Sequence, residues 1–537
     1  MQHKWKARLL TLTLIGGALS CFAGAQAAPQ SPAGQTQASP AQSQPAQPQQ
    51  PGSAPQSSTT PTPPTHITPA QAKELFASVD QILQFASNDT KLPIRHEVKS
   101  RLTTRAQVEK YLTEKMNDDK DAKRMEREEI VLKKFGLLDA DFQLRPFLVK
   151  LLDEQIAAYY DSKTKTVNLL DWIEPDQQKP VLAHELTHAL QDQHVHLDKW
   201  ENVTSDDLSR NYTSDQKHVA TDEDDTAREA VLEGQAMAVF VDYSLAPTGQ
   251  SLRKSPELVE SVIDTMADDG DQQDPVLSRA PLLLQESLLF PYKFGLKFEA
   301  EIEGDQRDPS AAFAGVLDRP PSSSFEIMNP RAYERHVTVP VLNMPDIHPV
   351  IDANYSPYDI GVMGELDVRI LSLLFGGQPA AAELTPAWDG GIYYAAQRKD
   401  APDKNSTASV ALFYLSQWKS VGAAQDFVKM YADELGRKYS HVALDDKDES
   451  GPDEQVYQTN EGPVLIDTVD KDVFISESFP LPIARKLETL MVRAQVPTGG
   501  GEVALNRKAV PSFDPADTLV RFMSSCGMMK AALPHLY

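Results

Sequence analysis

A chain of 537 residues with 77 acidic and 52 basic side chains carries a formal net charge of −25, which repels the phosphates of nucleic acid and of anionic lipid. Its two cysteines, Cys21 and Cys526, leave one thiol once the amino terminus is processed, which excludes a disulfide framework and a cysteine-based metal site. The length allows about two or three packed units with cores of their own.

Met1-Gln2-His3-Lys4-Trp5-Lys6-Ala7-Arg8 is basic, an apolar run follows over 9–22, and Ala25-Gln26-Ala27 has the small-x-small form of a cleavage site. Residues 1–27 therefore read as a secretory signal, and the protein is expected to be exported, periplasmic or secreted. The apolar run is short for a membrane span. Cys21, behind Ala18-Leu19-Ser20, offers a second processing route by lipid attachment and is the only membrane tether in view. Residues 28–66 are almost all Pro, Gln, Ser, Ala and Thr, a composition that builds no core and reads as a disordered linker.

Thr68-Pro69 opens the first helical pattern, and 107–135 is another helix with charged faces. Ile156-Ala157-Ala158-Tyr159-Tyr160 and Thr166-Val167-Asn168-Leu169-Leu170 flank the polar tip from Asp161 to Lys165, the pattern of a β-hairpin. Beside the motif that follows, such a hairpin offers a sheet edge to an extended substrate by strand addition. It serves equally as plain scaffold.

That motif is His184-Glu185-Leu186-Thr187-His188. Residues four apart on a helix are neighbours, so His184 and His188 can grip one metal ion. Glu185 lies about 100° round the helix from His184, beside the metal, where a carboxylate can act on a bound water. Leu182, Leu186, Ala189 and Leu190 form an apolar stripe roughly opposite the histidines, which places one face in a core and the other in a cleft. Pro180 suits the first turn, with Asp176 just upstream. Asp192, four residues after His188, either orients that imidazole or faces water. His194 and His196 near the helix end meet the helix dipole or solvent.

A zinc site of this type needs a third protein ligand. The next helix, over 226–243 with Asp222 to Asp225 at its start, carries Glu229 and Glu233 on one face. Glu233 is preferred, because Gly234 and Ala236 remove bulk and would let this helix approach the histidine helix. Glu229 is then a supporting partner or, preferably, a solvated charge. The acids Asp268, Asp269, Asp271 and Asp274 lack a calcium-loop pattern and read as a solvated loop. Residues 250–345 mix helices with proline-rich loops. Tyr333, His336, His348, Tyr355 and Tyr358 are candidates by type for steadying a transition state.

Beyond Trp388 the pattern changes: 392–397, 409–416, 456–458 and 464–476 read as strands, with a helix over 423–439 between them. This is expected to be half of a ferredoxin-like sheet. The fold class is α+β: a mainly helical catalytic core with a short substrate-edge sheet over 67–385, and a small α+β unit over 386–537.

His184-Glu185-Leu186-Thr187-His188-Ala189-Leu190 resembles the gluzincin superfamily of zinc peptidases, of which thermolysin is the familiar example. Glu233-Gly234-Gln235-Ala236 resembles the segment that carries the third ligand in some gluzincins. Met237 stands where thermolysin-like chains place an acidic partner. Further pieces resemble exported bacterial proteins of the same HExxH type: Arg319 to Ser324, Asn329-Pro330-Arg331-Ala332-Tyr333, Gly364-Glu365-Leu366 and Ala387-Trp388-Asp389-Gly390. In those proteins a His-Pro pair is common at the position of Asn329-Pro330. The resemblance implies Zn2+ held by His184, His188 and Glu233, Glu185 as general base, and a peptide or protein substrate. The same water-activating apparatus also serves a zinc hydrolase of cell-wall or small-molecule amides. A fourth protein ligand would mark a non-catalytic, metal-stabilised binding protein instead.

Overall fold

The computed structural model describes residues 66–108, 110, 119–155, 158–200, 211–264, 276–305, 309–449 and 451–496, with short strands at 12–14 and 528–530 that pair in parallel. Cys21, Cys526, the linker up to residue 65 and the acids from Asp268 to Asp274 lie outside the described residues, as does the expected signal apart from 12–14.

Helix α1, Pro69–Thr90, starts where the sequence signals it: the Thr68 hydroxyl accepts from the Gln71 N–H, and the Gln71 side chain accepts from the Thr68 N–H. Its Leu75, Val79, Ile82, Leu83 and Ala86 are buried at helical spacing, and Lys91 in a left-handed conformation ends it. Strand β1 (Lys99–Thr103), helices α2 (Asp119–Lys134) and α3 (Leu144–Gln155), and strands β2 (Ala158–Asp161) and β3 (Thr166–Leu170) follow. The three strands form one sheet in the order β1-β3-β2, with β2 antiparallel to β3 and β1 parallel to it. The expected hairpin is thus present and β2 is one of the sheet's two outer strands; Ile156 and Ala157 lie outside the described residues.

Helix α4, Pro175–Val195, carries the HExxH motif. Pro175, not Pro180, occupies its first turn, so Pro180 lies inside the helix and the Asp176 carbonyl loses its usual i+4 donor. Residues 180–192 are buried round the whole circumference, between α1, strand β2 and the next long helix. The expectation of one core face and one open face is corrected: α4 is the central helix.

Helices α5 (Tyr212–Thr221), α6 (Asp224–Leu245), α7 (Leu282–Asp305) and α8 (Pro309–Asp318) complete the bundle. Helices α6 and α7 cross backbone to backbone: a Cβ added to Gly234 would lie 2.2 Å from the Gly295 carbonyl group. The close approach expected of Gly234 is therefore to α7, not to the histidine helix.

Strand β4 (Tyr355–Val362), helix α9 (Glu365–Leu384), strands β5 (Trp388–Arg398) and β6 (Val410–Trp418), helix α10 (Val421–Asp433), strands β7 (Val442–Leu444), β8 (Gln455–Thr459), β9 (Gly462–Val469) and β10 (Asp472–Glu477), and helix α11 (Leu481–Gln495) form the rest. The seven strands run β4-β5-β6-β10-β9-β8-β7, antiparallel at every step. Strands β6 and β9, joined by way of α10, run the same way with β10 between them, the split arrangement expected of half of a ferredoxin-like sheet; β4, β5, β7 and β8 extend it on either side. The run 464–476 is two strands, because Asp470 with φ of 59° turns the chain between them.

Strand period shows directly in β5. Tyr393 and Ala395 join the core shared with α10 and the helical bundle, while Ile392, Tyr394 and Ala396 face Ala484, Leu487 and Met491 of α11. The sheet takes β4 from ahead of residue 386, and one buried apolar cluster runs from α1 through to β10. A buried charge fixes the seam. The Lys134 ammonium at the end of α2 donates to Glu461 Oε2 and Ser478 Oγ, each at 2.6 Å, with its side chain 1% exposed. No helix of the described residues is long and apolar enough to cross a membrane.

Candidate metal centre

The two imidazoles of α4 point their Nε2 atoms at one spot, 3.0 Å apart. Glu233, brought in by α6, puts Oε2 at 3.2 Å from His184 Nε2 and Oε1 at 3.7 Å from His188 Nε2. These three buried side chains could hold a metal ion, each giving one ligand atom. The arrangement foreseen from spacing alone is therefore assembled, and Glu233 rather than Glu229 closes it. Among the described residues no fourth histidine, cysteine or acid joins the cluster.

The protonation states suit ligands. Burial pulls the His184 imidazole down to about 4, which leaves it neutral with a lone pair to give. Burial pushes Glu233 upward, but His188 and His184 outweigh it and hold the carboxyl below its ordinary value. An anionic carboxylate in a dry interior calls for a positive partner, and the space between the three ligands is where one would sit.

Glu185 is fully buried beside them. Its Oε2 accepts the backbone N–H of Tyr160 at 2.8 Å, while Oε1 has no hydrogen-bond partner. Burial, then the charge of Glu233, pushes its carboxyl well above the ordinary range. In β2, Tyr160 turns its amide away from β3 and towards α4, so this outer strand touches the motif through its main chain.

Asp192 does neither of the things expected of it. It is buried, and it accepts from Tyr160 Oη at 2.7 Å, Lys165 Nζ at 2.6 Å and the Leu197 N–H at 3.2 Å. It clasps the hairpin to the helix instead of orienting a metal ligand. The partner of His188 is its neighbour Gln191, whose Oε1 lies 2.9 Å from His188 Nδ1. Glu229 is buried, which corrects its reading as a solvated charge. His194 meets Asp318 at 2.9 Å, and the exposed His196 ends α4 in a left-handed conformation.

The five candidates for steadying a transition state have partners elsewhere. Tyr333 Oη donates to the Arg319 carbonyl at 2.7 Å, and His336 lies 2.6 Å from an Arg319 guanidinium nitrogen. His348 meets Asp215 and Asp352, Tyr355 packs on Phe479, and burial pushes up the Tyr358 phenol away from the cluster. The Arg319 to Ser324 loop docks on the start of α6, where Ser324 Oγ donates to Glu223 at 2.5 Å. Glu223 precedes Glu233 by ten residues, about 15 Å of helix, so that loop belongs to the scaffold. Asn329 donates to Glu365 at 2.7 Å and takes no part in the cluster.

Sequence reasoning missed Tyr292. It is 1% exposed in α7, and its hydroxyl has no well-formed hydrogen bond. Burial first, then the charges of Glu233, Glu229 and Glu185, push its phenol far above the ordinary value, so it remains a donor beside the ligand and the base. Tyr292 lies one turn before Gly295, and Glu233 lies next to Gly234; the helix crossing at the two glycines brings the pair together. Paired glycines on two apolar helices were the available signal. No family model, no curated protein and no solved structure matches the chain.

Proposed function

We propose that the chain is an exported, gluzincin-type zinc peptidase that hydrolyses peptide bonds with Glu185 as general base. The observation that carries this reading is the convergence of His184, His188 and Glu233 around one point, with the unpartnered Oε1 of Glu185 beside it. Ligands about 2.0–2.2 Å from a tetrahedral zinc stand ~3.3 Å from one another. The two imidazole nitrogens, 3.0 Å apart, and the Glu233 Oε2 at 3.2 Å from His184 are close to that spacing.

Bound there, zinc supplies a Lewis acid that brings the pKa of a water towards neutrality and polarises a carbonyl. Glu185 Oε1 accepts the proton of the attacking water as its oxygen bonds to the substrate carbon, and returns it to the amine as the C–N bond breaks. The Tyr292 phenol, pushed up by burial and then by the charges of Glu233, Glu229 and Glu185, would be the donor to the oxyanion that develops. Strand β2 offers an extended chain main-chain partners on its outer side. Export rests on the basic start and apolar run at 1–22, and lipid attachment at Cys21 is the alternative route.

One observation favours a second reading. His184 and Glu185 are fully buried, as suits a hydrolase of small amides better than a peptidase with an open cleft. The absence of a fourth ligand of the usual types among the described residues weighs against a purely structural metal. Metal analysis with casein digestion tests the proposal: one zinc per chain in both wild type and Glu185→Gln, with digestion by wild type alone. A zinc-free wild type, or an equally active variant, overturns it. Small acyl-amide cleavage without casein cleavage selects the second reading.

A further inference from the structure

We infer that Gln191 positions His188, and that the direction of its amide is fixed by backbone carbonyls of α8 through Gln235. This rests on the metal-binding reading of the cluster above.

The inference follows from which atoms can donate. The carbonyls of Ala312 and Phe313 can only accept, and Gln235 Nε2 faces them at 3.4 and 3.1 Å. Gln235 must therefore turn its NH2 towards α8 and its Oε1 the other way, where Gln191 Nε2 donates to it at 3.0 Å. The same Gln191 nitrogen donates to the Leu232 carbonyl at 3.1 Å, again a group that only accepts. Both bonds put the Gln191 NH2 on the α6 side, which leaves Gln191 Oε1 to face His188 Nδ1 at 2.9 Å. That oxygen cannot donate, so His188 carries its proton on Nδ1 and its lone pair on Nε2, the atom aimed at His184 and Glu233. A free imidazole has two neutral tautomers; here two buried amides select the one that binds a metal.

Gln191 and Gln235 are both fully buried, so water offers their amides no alternative partners. The chain of bonds also joins two ligands: Leu232 precedes Glu233 and Gln235 follows it by two residues, so whatever moves α6 moves the orienting group of His188 too. Gln191 thus offers His188 a neutral amide where a carboxylate would be the more basic acceptor. A neutral acceptor leaves the imidazole less electron-rich, which favours a looser but more electrophilic metal.

The test is zinc affinity of the full chain by chelator competition, with the optical spectrum of the cobalt-loaded protein. Wild type, Gln191→Leu, Gln191→Glu and Gln235→Leu are compared, and metal-free unfolding midpoints are recorded for each. Gln191→Leu is expected to bind zinc about 10–100-fold more weakly with an altered cobalt spectrum. Gln191→Glu retains an acceptor for Nδ1–H but sets its other oxygen against the Leu232 carbonyl and Gln235 Oε1, so it is expected to bind between wild type and Gln191→Leu. Gln235→Leu is expected to weaken binding, since Gln191 is then held by the Leu232 carbonyl alone. Wild-type affinity in Gln191→Leu, or a loss in Gln191→Glu as large as in Gln191→Leu, overturns the inference while leaving the metal site standing. Should Gln191→Leu fail to fold, wild-type affinity in Gln235→Leu overturns it as well. A wild type that binds no zinc removes the metal site and this inference together.

Discussion

The backbone N–H of Tyr160 donates to Oε2 of Glu185 across 2.8 Å, so strand β2 of the small sheet holds the candidate base by its main chain. The same residue reaches Asp192 through its hydroxyl at 2.7 Å. Tyr160 thus grips α4 at two points, seven residues and about two turns apart. Strand and base are one mechanical unit.

Replacing Glu185 by Gln keeps an oxygen for the Tyr160 N–H but removes the proton acceptor. The expected result is unchanged metal content and a fall in hydrolysis of about 10²–10⁴-fold. Elemental analysis and initial rates on one preparation check both halves.

Tyr292→Phe removes a hydroxyl that has no well-formed hydrogen bond, so folding stability is expected to hold. If the phenol donates to the developing oxyanion, kcat falls about 10²–10³-fold with KM little changed. Tyr333→Phe is the contrasting case. It loses a 2.7 Å bond to the Arg319 carbonyl, costs about 1 kcal/mol of stability, and leaves kcat alone. Urea unfolding and steady-state kinetics separate the two.

Gly295→Ala would place a methyl group 2.1 Å from the Ala230 carbonyl oxygen, and the crossing of α6 and α7 must open to admit it. A loss of about 1–3 kcal/mol in urea unfolding is expected, with weaker metal binding because Glu233 rides on α6. Gly315→Ala in α8 serves as control. Its nearest atom would be 3.9 Å away, and a small gain in stability is expected.

Stability is also expected to depend on pH through Glu365. Burial pushes its carboxyl from 4.5 up to about 8, Glu223 adds to the rise, and Asn329 and Lys419 oppose it. Between those two values the folded chain keeps a proton that the unfolded chain has released. The Glu365 contribution is therefore whole below the lower value and is lost as pH rises towards the upper one. Glu365→Gln lacks this slope, which amounts to at most ~1.4 kcal/mol per pH unit. Measured by urea midpoints, the variant should gain on wild type between pH 5 and pH 9; parallel curves would count against it.

What the sequence made legible follows from local geometry. His184, Glu185 and His188 are fixed by helical spacing, whereas Glu233 is preferred to Glu229 for the small residues after it, and Gly234 in fact meets α7. Gln191 escaped because i+3 and i+4 both reach the same imidazole, and only the fold shows that Tyr160 and Lys165 already claim Asp192. Tyr292 sits among Phe290, Phe294 and Phe298, where an aromatic reads as core until its neighbours in space are known. The seven-stranded sheet was half visible. Its alternating strands past Trp388 stand out, but β4 holds Pro357 and a register shift that break the pattern.

Lys134 has a consequence for the molecule as a whole. Its side chain donates to Glu461 and Ser478, groups more than three hundred residues further along the chain. A fragment ending at residue 385 would lose Glu461 and Ser478, both partners of that side chain. It would also leave β4 without β5 to pair with. The helices that carry His184, His188 and Glu233 therefore share their packing with the sheet, and a proteolytic cut that released the sheet is expected to destabilise the candidate metal centre.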